Sequence, residues 1–201
     1  MKDFYYTISS HSAAEIKVMK SKFISEAFPI SRSTDTAILI IEFKKKYYDA
    51  SHFPFAYRTG MHLDNFRYSD DGEPSGSAGK PLLEAIDKNN LTDIILVTAR
   101  YFGGIKLGVG GLRRAFFASG EACLEKADIV KKYIMQSVKA EFDYSYINSI
   151  MKLIEREKIN ILKNESGNRC VLTLEIRESR YEKLILKMSD LTNGTVTFLK
   201  H

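Results

Sequence analysis

The run Ile94-Ile95-Leu96-Val97-Thr98-Ala99 is apolar throughout apart from one threonine hydroxyl. A strand with one wet face alternates polar and apolar residues. An unbroken run instead predicts a central strand buried on both faces, which needs packing layers above and below it. A glycine-rich segment stands on each side of the run in the chain. Asp70-Asp71-Gly72-Glu73-Pro74-Ser75-Gly76-Ser77-Ala78-Gly79-Lys80-Pro81 precedes it, and Gly103-Gly104-Ile105-Lys106-Leu107-Gly108-Val109-Gly110-Gly111 follows it. Proline and glycine deny the first segment regular structure and five glycines mark the second, so each reads as a loop.

Phe4–Ile8 and Val18–Ile30 are rich in aromatic and β-branched residues and read as strands. Ser33 or Thr34 is placed to cap a helix running to about Asp49, with Ala37, Ile38, Ile41 and Tyr48 as its apolar positions. Phe53–Met61 and Leu63–Tyr68 read as further strands. Leu82–Asp87 reads as a short helix with Pro81 in its first turn, and Leu112–Ala127 as a helix with Ala115, Phe116, Ala118, Ala122 and Cys123 on its packing face. From Val130 the order is strand (Ile134–Asp143), helix (Tyr146–Glu157), strand (Ile159–Asn164), strand (Cys170–Ile176), helix (Arg180–Ser189), strand (Thr195–Leu199). That βαββαβ order is the ferredoxin-like pattern. The expectation is therefore an α+β chain of two domains, 1–129 and 130–201, joined by a short, stiff connection.

Hydrophobic residues make up 44% of the 201, enough to bury a core. The longest aliphatic stretch, Ala37 to Ile41, falls far short of the roughly 20 residues that span a bilayer. No signal peptide is evident at Met1-Lys2-Asp3, and the chain is expected to be cytoplasmic, without a membrane partner. Cys123 and Cys170 lack further Cys or His at metal-ligand spacing and read as reduced, buried thiols. Basic residues number 17 against 16 acidic through Ile129, but 13 against 9 from Val130 onward. The C-terminal Lys131, Lys132, Lys139, Lys152, Arg156, Lys158 and Lys163 can build a basic face or simply solvate two helices.

The second loop fails the P-loop test, because Val109-Gly110 stands where Lys and a hydroxyl are needed. It also fails the dinucleotide fingerprint, because Arg113 occupies the third glycine position. What remains is a stretch with no acidic residue between Asp93 and Glu121, carrying Arg100, Lys106, Arg113 and Arg114. Glycines at 103, 104, 108, 110 and 111 let backbone N–H groups turn outward at a helix N-terminus, which favours anions. Tyr101 and Phe102 can stack a base, or pack into the core. The plain alternative is a structural turn whose glycines supply positive φ. In the first loop, Asp70, Asp71 and Glu73 fit no EF-hand spacing. They read either as turn and cap formers, with Ser75 and Ser77 satisfying backbone groups, or as a contact loop with Lys80. His52 and His62 are candidate bases without an adjacent nucleophile. No catalytic set, metal site or cofactor is assembled from these residues.

Ser69–Pro81 and Arg100–Ala115, with Ser21-Lys22-Phe23-Ile24, Ala50-Ser51-His52 and Ala56-Tyr57-Arg58, resemble signatures of the Impact/YigZ family across about residues 10–128. The stretch from Val130 is similar in layout to the smaller domain of bacterial members. The resemblance implies an N-terminal domain with the βαβ-rich fold of the second domain of small-subunit ribosomal protein five. It implies a C-terminal domain like the last domain of elongation factor G. Eukaryotic relatives act in translational control, binding the large activator of a starvation-responsive initiation-factor kinase. Three functions are carried forward as expectations. The leading one is non-enzymatic binding of RNA or ribosomes. The others are regulation of a protein partner through the acidic loop, and an enzyme acting on a phosphate-bearing small molecule.

Overall fold

The computed structural model describes residues 3–31, 33–60 and 65–200. The candidate His62 lies outside the described residues. Contacts divide the chain into two units, one of residues 5–132 and one of residues 3–4 with 133–200.

The larger unit runs β1 (Phe4–Ile8), β2 (Ser12–Val18), β3 (Ser21–Pro29), α1 (Asp35–Lys46), β4 (Phe55–Arg58), β5 (Phe66–Ser69), α2 (Gly79–Lys88), β6 (Ile94–Tyr101), α3 (Gly108–Leu124) and β7 (Ile129–Tyr133). Five strands form one sheet in the order β2-β3-β6-β4-β5, every neighbouring pair antiparallel. The apolar run lies in β6, the middle strand, and is buried along its length. Its alternate residues feed two cores. Ile94 and Leu96 pack with Phe23, Leu82, Ile86 and Phe116 beneath α2 and α3. Ile95, Val97 and Ala99 pack with Phe43 beneath α1. The one hydroxyl in the run is satisfied: Thr98 and Ser25 share a 2.7 Å bond, and Ser25 meets Ser119 of α3 at 2.6 Å. Burying such hydroxyls without partners would cost kilocalories.

Several expected boundaries move. The strand expected over Val18–Ile30 is β3, and β2, which pairs with it across the turn at Met19-Lys20, was not expected. Thr34 precedes α1 without a side-chain cap bond, and the helix ends at Lys46. The expected apolar face of α1 is exposed at Ala37, Ile38, Ile41 and Tyr48, while Thr36 and Phe43 are buried and Leu39, Ile40 and Tyr47 half-buried. Both stripes have helical spacing. The aromatic one covers more of the sheet and makes ring contacts, Phe43 with Tyr47 and with Phe53. On α3, Ala118 is likewise exposed, although Ala115, Phe116 and Cys123 are buried. β7 was not expected at all, and it pairs with β1 in a sheet of two strands.

The smaller unit runs β8 (Met135–Phe142), α4 (Ile147–Glu157), β9 (Asn160–Ser166), β10 (Cys170–Arg177), α5 (Tyr181–Leu191) and β11 (Thr197–Lys200). The sheet order β11-β8-β10-β9, all antiparallel, is the ferredoxin-like arrangement expected from the element order. Strict alternation along β10 buries Cys170, Leu172, Leu174 and Ile176 against Ile150, Leu153 and Leu184 of the two helices. The α+β reading therefore holds in both units.

Candidate functional site

β6 delivers Arg100 and Tyr101 to opposite faces of the sheet, as strand alternation requires. Arg100 is 94% buried by its 6% exposure, on the side of α2 and α3, and its Nη1 donates to both carboxylate oxygens of Glu73 at 2.6 and 2.8 Å. Its Nε has no partner. Tyr101 donates to Asp49 at 2.9 Å, and the Lys22 ammonium sits 4.3 Å above its ring. Burial and the Asp49 carboxylate push the Tyr101 phenol up to about 12.

The acidic loop is turned inward. Asp70 accepts from the backbone amides of Gly76, Ala78 and Gly79 at 2.8, 3.0 and 2.8 Å, and so caps α2 from outside the helix. Asp71 takes the Phe53 amide on one oxygen at 2.8 Å and the Lys44 ammonium on the other at 2.9 Å. Burial opposes the ionised Asp71 carboxyl, but Lys44 and the Phe53 amide outweigh it and hold the group below the usual carboxylate range. His52 donates from Nδ1 to the Asp71 carbonyl at 2.8 Å. Glu73 is spent on Arg100. The Ser77 hydroxyl is buried without a partner, Ser75 is exposed, and Lys80 is exposed in the first turn of α2. The carboxylates thus build the loop itself. Among the described residues, no group of three or more His, Cys, Asp or Glu is placed to hold a metal ion.

The helix that follows the second glycine loop reaches the first loop. Arg113, on α3, donates to the Gly76 carbonyl at 2.8 Å and to Glu84 of α2 at 2.9 and 3.1 Å. Of the four basic residues singled out in the sequence, Arg100 and Arg113 are therefore occupied internally. Lys106 and Arg114 are exposed and form no ion pair among the described residues. The second loop stays open. Gly104 and Gly108 adopt φ of +82° and +67°, and α3 begins at Gly108 with no side-chain cap and no acidic residue in its first turn. Gly110 and Gly111 lie in that first turn, so the helix starts four residues before the expected Leu112. A helix can begin in such a weak sequence because its first N–H groups need no helical partner.

Two cations missed in the sequence belong here. A Cβ at Gly103 would lie 1.9 Å from the Lys20 carbonyl oxygen, so only glycine lets the β2–β3 turn press against the loop. That contact, with the pairing of Lys22 to Tyr101, brings Lys20 and Lys22 beside the loop. Phe102 is 49% exposed there, and the Arg100 guanidinium stands 5.5 Å from its ring. The one available signal was Ser21-Lys22-Phe23-Ile24, which carries part of the family pattern. Of the C-terminal cations, two are spent on one carboxylate. Lys139 and Lys163 both pair with Glu165, at 3.2 and 2.5 Å, and Lys131 and Lys132 belong to the larger unit.

The sequence pattern that defines the Impact N-terminal domain matches residues 19–124. The chain is 32% identical over 190 residues to the IMPACT family member YvyE of Bacillus subtilis (strain 168), covering 94% of this chain and 88% of that one. It is 25% identical over 185 residues to the IMPACT family member YigZ of Escherichia coli (strain K12), covering 91% of each. It is 31% identical over 102 residues to the protein IMPACT homolog of Dictyostelium discoideum, covering 49% of this chain and 29% of that one. A crystal structure of a hypothetical protein superposes with a TM-score of 0.75 at 22% identity, covering 100% of this chain and 98% of that one. No described helix is long and apolar enough to cross a membrane.

Proposed function

Because this chain belongs to the Impact family, we propose that it is a non-enzymatic binding protein, taking RNA or ribosomal particles on the surface around residues 102–114. The observation that carries the reading is an uncapped helix N-terminus with unspent cations about it. Among the described residues Lys20, Lys106 and Arg114 are exposed without ion-pair partners, Lys22 stands over the Tyr101 ring, and no acid lies in the first turn of α3. A backbone of phosphates meets such a surface with ion pairs, outward amides and a helix dipole acting together. Exposed Phe102 offers a ring on which an unpaired base can stack. The internal use of Asp70, Asp71 and Glu73 gives a protein partner little free charge to recognise in that loop, so the acidic-loop reading is not favoured.

The test is co-sedimentation with ribosomal particles, and binding of a single-stranded RNA, across a salt series. Affinity is expected to fall with salt, and Lys106→Ala with Arg114→Ala to reduce the logarithmic salt slope by about 1.4, at roughly 0.7 per phosphate contact on a single strand. An unchanged slope and affinity in the double variant overturns the reading.

A further inference from the structure

The smaller unit holds a cavity of about 180 Å³ between the end of α4, the start of β9, the end of β10 and α5. We propose that it is a binding site for a small amphipathic anion, a phosphate monoester or carboxylate carried on an apolar body about the size of one ring. The floor is aliphatic: Ile159, Ile176 and Leu184 are each less than a tenth exposed and line the cavity. The rim is cationic. Arg180, Lys183 and Lys187 stand at spacings of three and four residues, which places them on one side of α5. Glu157 is the one acid in the lining.

The charges at this rim do not balance. Glu157 bonds to Lys187, and Lys187, with nearby Arg156 and Lys183, holds its carboxyl below the usual range although burial opposes it. Arg180 and Lys183 have no ion-pair partner among the described residues. Arg180 also sits at the N-cap of α5, where a cation meets the positive end of the helix dipole. Two uncompensated cations beside a paired third, one of them at the positive end of the helix dipole, raise the energy of this rim. An anion at the rim relieves that cost.

Size selects the ligand class. A dry cavity of about 150 Å³ admits benzene, so this one admits a ring or a short hydrocarbon, with the charged group left at the rim. The sugar–phosphate backbone of a nucleic acid has no apolar body to place on the three aliphatic side chains, so this site differs in chemistry from the loop surface of the larger unit.

The probes are phenyl phosphate, inorganic phosphate, benzyl alcohol and a short single-stranded RNA, titrated into the full chain while its amide resonances are followed. Phenyl phosphate is expected to shift Ile159, Ile176 and Leu184 saturably, with inorganic phosphate and benzyl alcohol each at least about tenfold weaker. Arg180→Gln with Lys183→Gln removes two charges at exposed positions while leaving polar side chains there, and is expected to weaken phenyl phosphate by a similar factor. The same spectra report that the variant is folded. Equal affinity for inorganic phosphate, RNA that matches phenyl phosphate at these amides, an unaffected double variant, or no saturable shift up to about 10 mM each overturns the site. These outcomes are independent of whether residues 102–114 bind RNA.

Discussion

Arg100 and Glu73, 27 residues apart, form an ion pair that almost no solvent reaches: their side chains are 7% and 2% exposed. The pair ties the end of the central strand to the acidic loop. It also explains why a basic residue at the mouth of the glycine-rich loop is not free for an external anion. Removing one member strands the other charge in a place of low polarity, and that costs more than the pair itself contributes.

Glu73→Gln is therefore expected to destabilise the larger unit by about 3–5 kcal/mol, whereas Arg100→Met with Glu73→Leu is expected to cost clearly less than the two single changes summed. Urea unfolding followed by circular dichroism measures both. A Glu73→Gln protein within about 1 kcal/mol of the parent would show that water reaches the guanidinium after all.

Gly103 and Gly104 separate two reasons for glycine. At Gly103 a Cβ would strike the Lys20 carbonyl at 1.9 Å, while at Gly104 nothing lies within 4 Å but φ is +82°. Gly104→Ala is expected to cost about 1–2 kcal/mol from the left-handed backbone alone. Gly103→Ala must push the β2–β3 turn away, at about 1–3 kcal/mol, and should also weaken RNA binding because Lys20 moves with the turn. Thermal unfolding with an RNA titration on both variants checks the distinction. Equal RNA affinities in the two would remove Lys20 from the interface.

The parts of this architecture that were legible in the sequence are those fixed by periodicity within one segment. The unbroken Ile94–Ala99 run announced a strand covered on both faces. The anion surface was half legible. The absence of acids from Asp93 to Glu121 was visible, but not that Glu73 would reach Arg100 or Glu84 reach Arg113, because those partners come from other elements. Lys20 was hidden for the same reason: a hairpin turn acquires meaning only when Gly103 packs on it. The face of α1 was misread because two apolar stripes share its surface, and only the sheet decides between them.

Acid should weaken folding through Asp71 and Glu26. Glu26 is almost fully buried. Burial disfavours its charge, but Lys46, Tyr47 and His11 bond to it and hold its carboxyl below the ordinary value of 4.5, as Lys44 and the Phe53 amide hold Asp71 below 3.8. Below those values the unfolded chain takes up protons that the folded chain refuses, so stability falls as pH falls and is fully present above about pH 5. Urea midpoints from about pH 6 to pH 2 should drop on the acid side, and Asp71→Asn should flatten the drop. A parent protein with level midpoints across that range would mean that neither carboxyl is shifted by folding.

Arg113 and Arg114 are neighbours in sequence with different duties. Arg113 spans from α3 to Glu84 and the Gly76 carbonyl, so Arg113→Ala removes a charge-assisted link between two helices and a loop. It is half exposed, so the loss is expected to be modest, about 1 kcal/mol, with RNA affinity changed little. Arg114 has no ion-pair partner among the described residues, so Arg114→Ala should leave unfolding unchanged within about 0.5 kcal/mol. Its effect should appear in RNA binding, as a salt slope shallower by about 0.7. Unfolding curves and salt titrations on the two single variants measure both quantities. The opposite assignment, with stability lost at Arg114 and RNA affinity lost at Arg113, would mean that the anion meets α3 on the side facing α2 and not at the open loop.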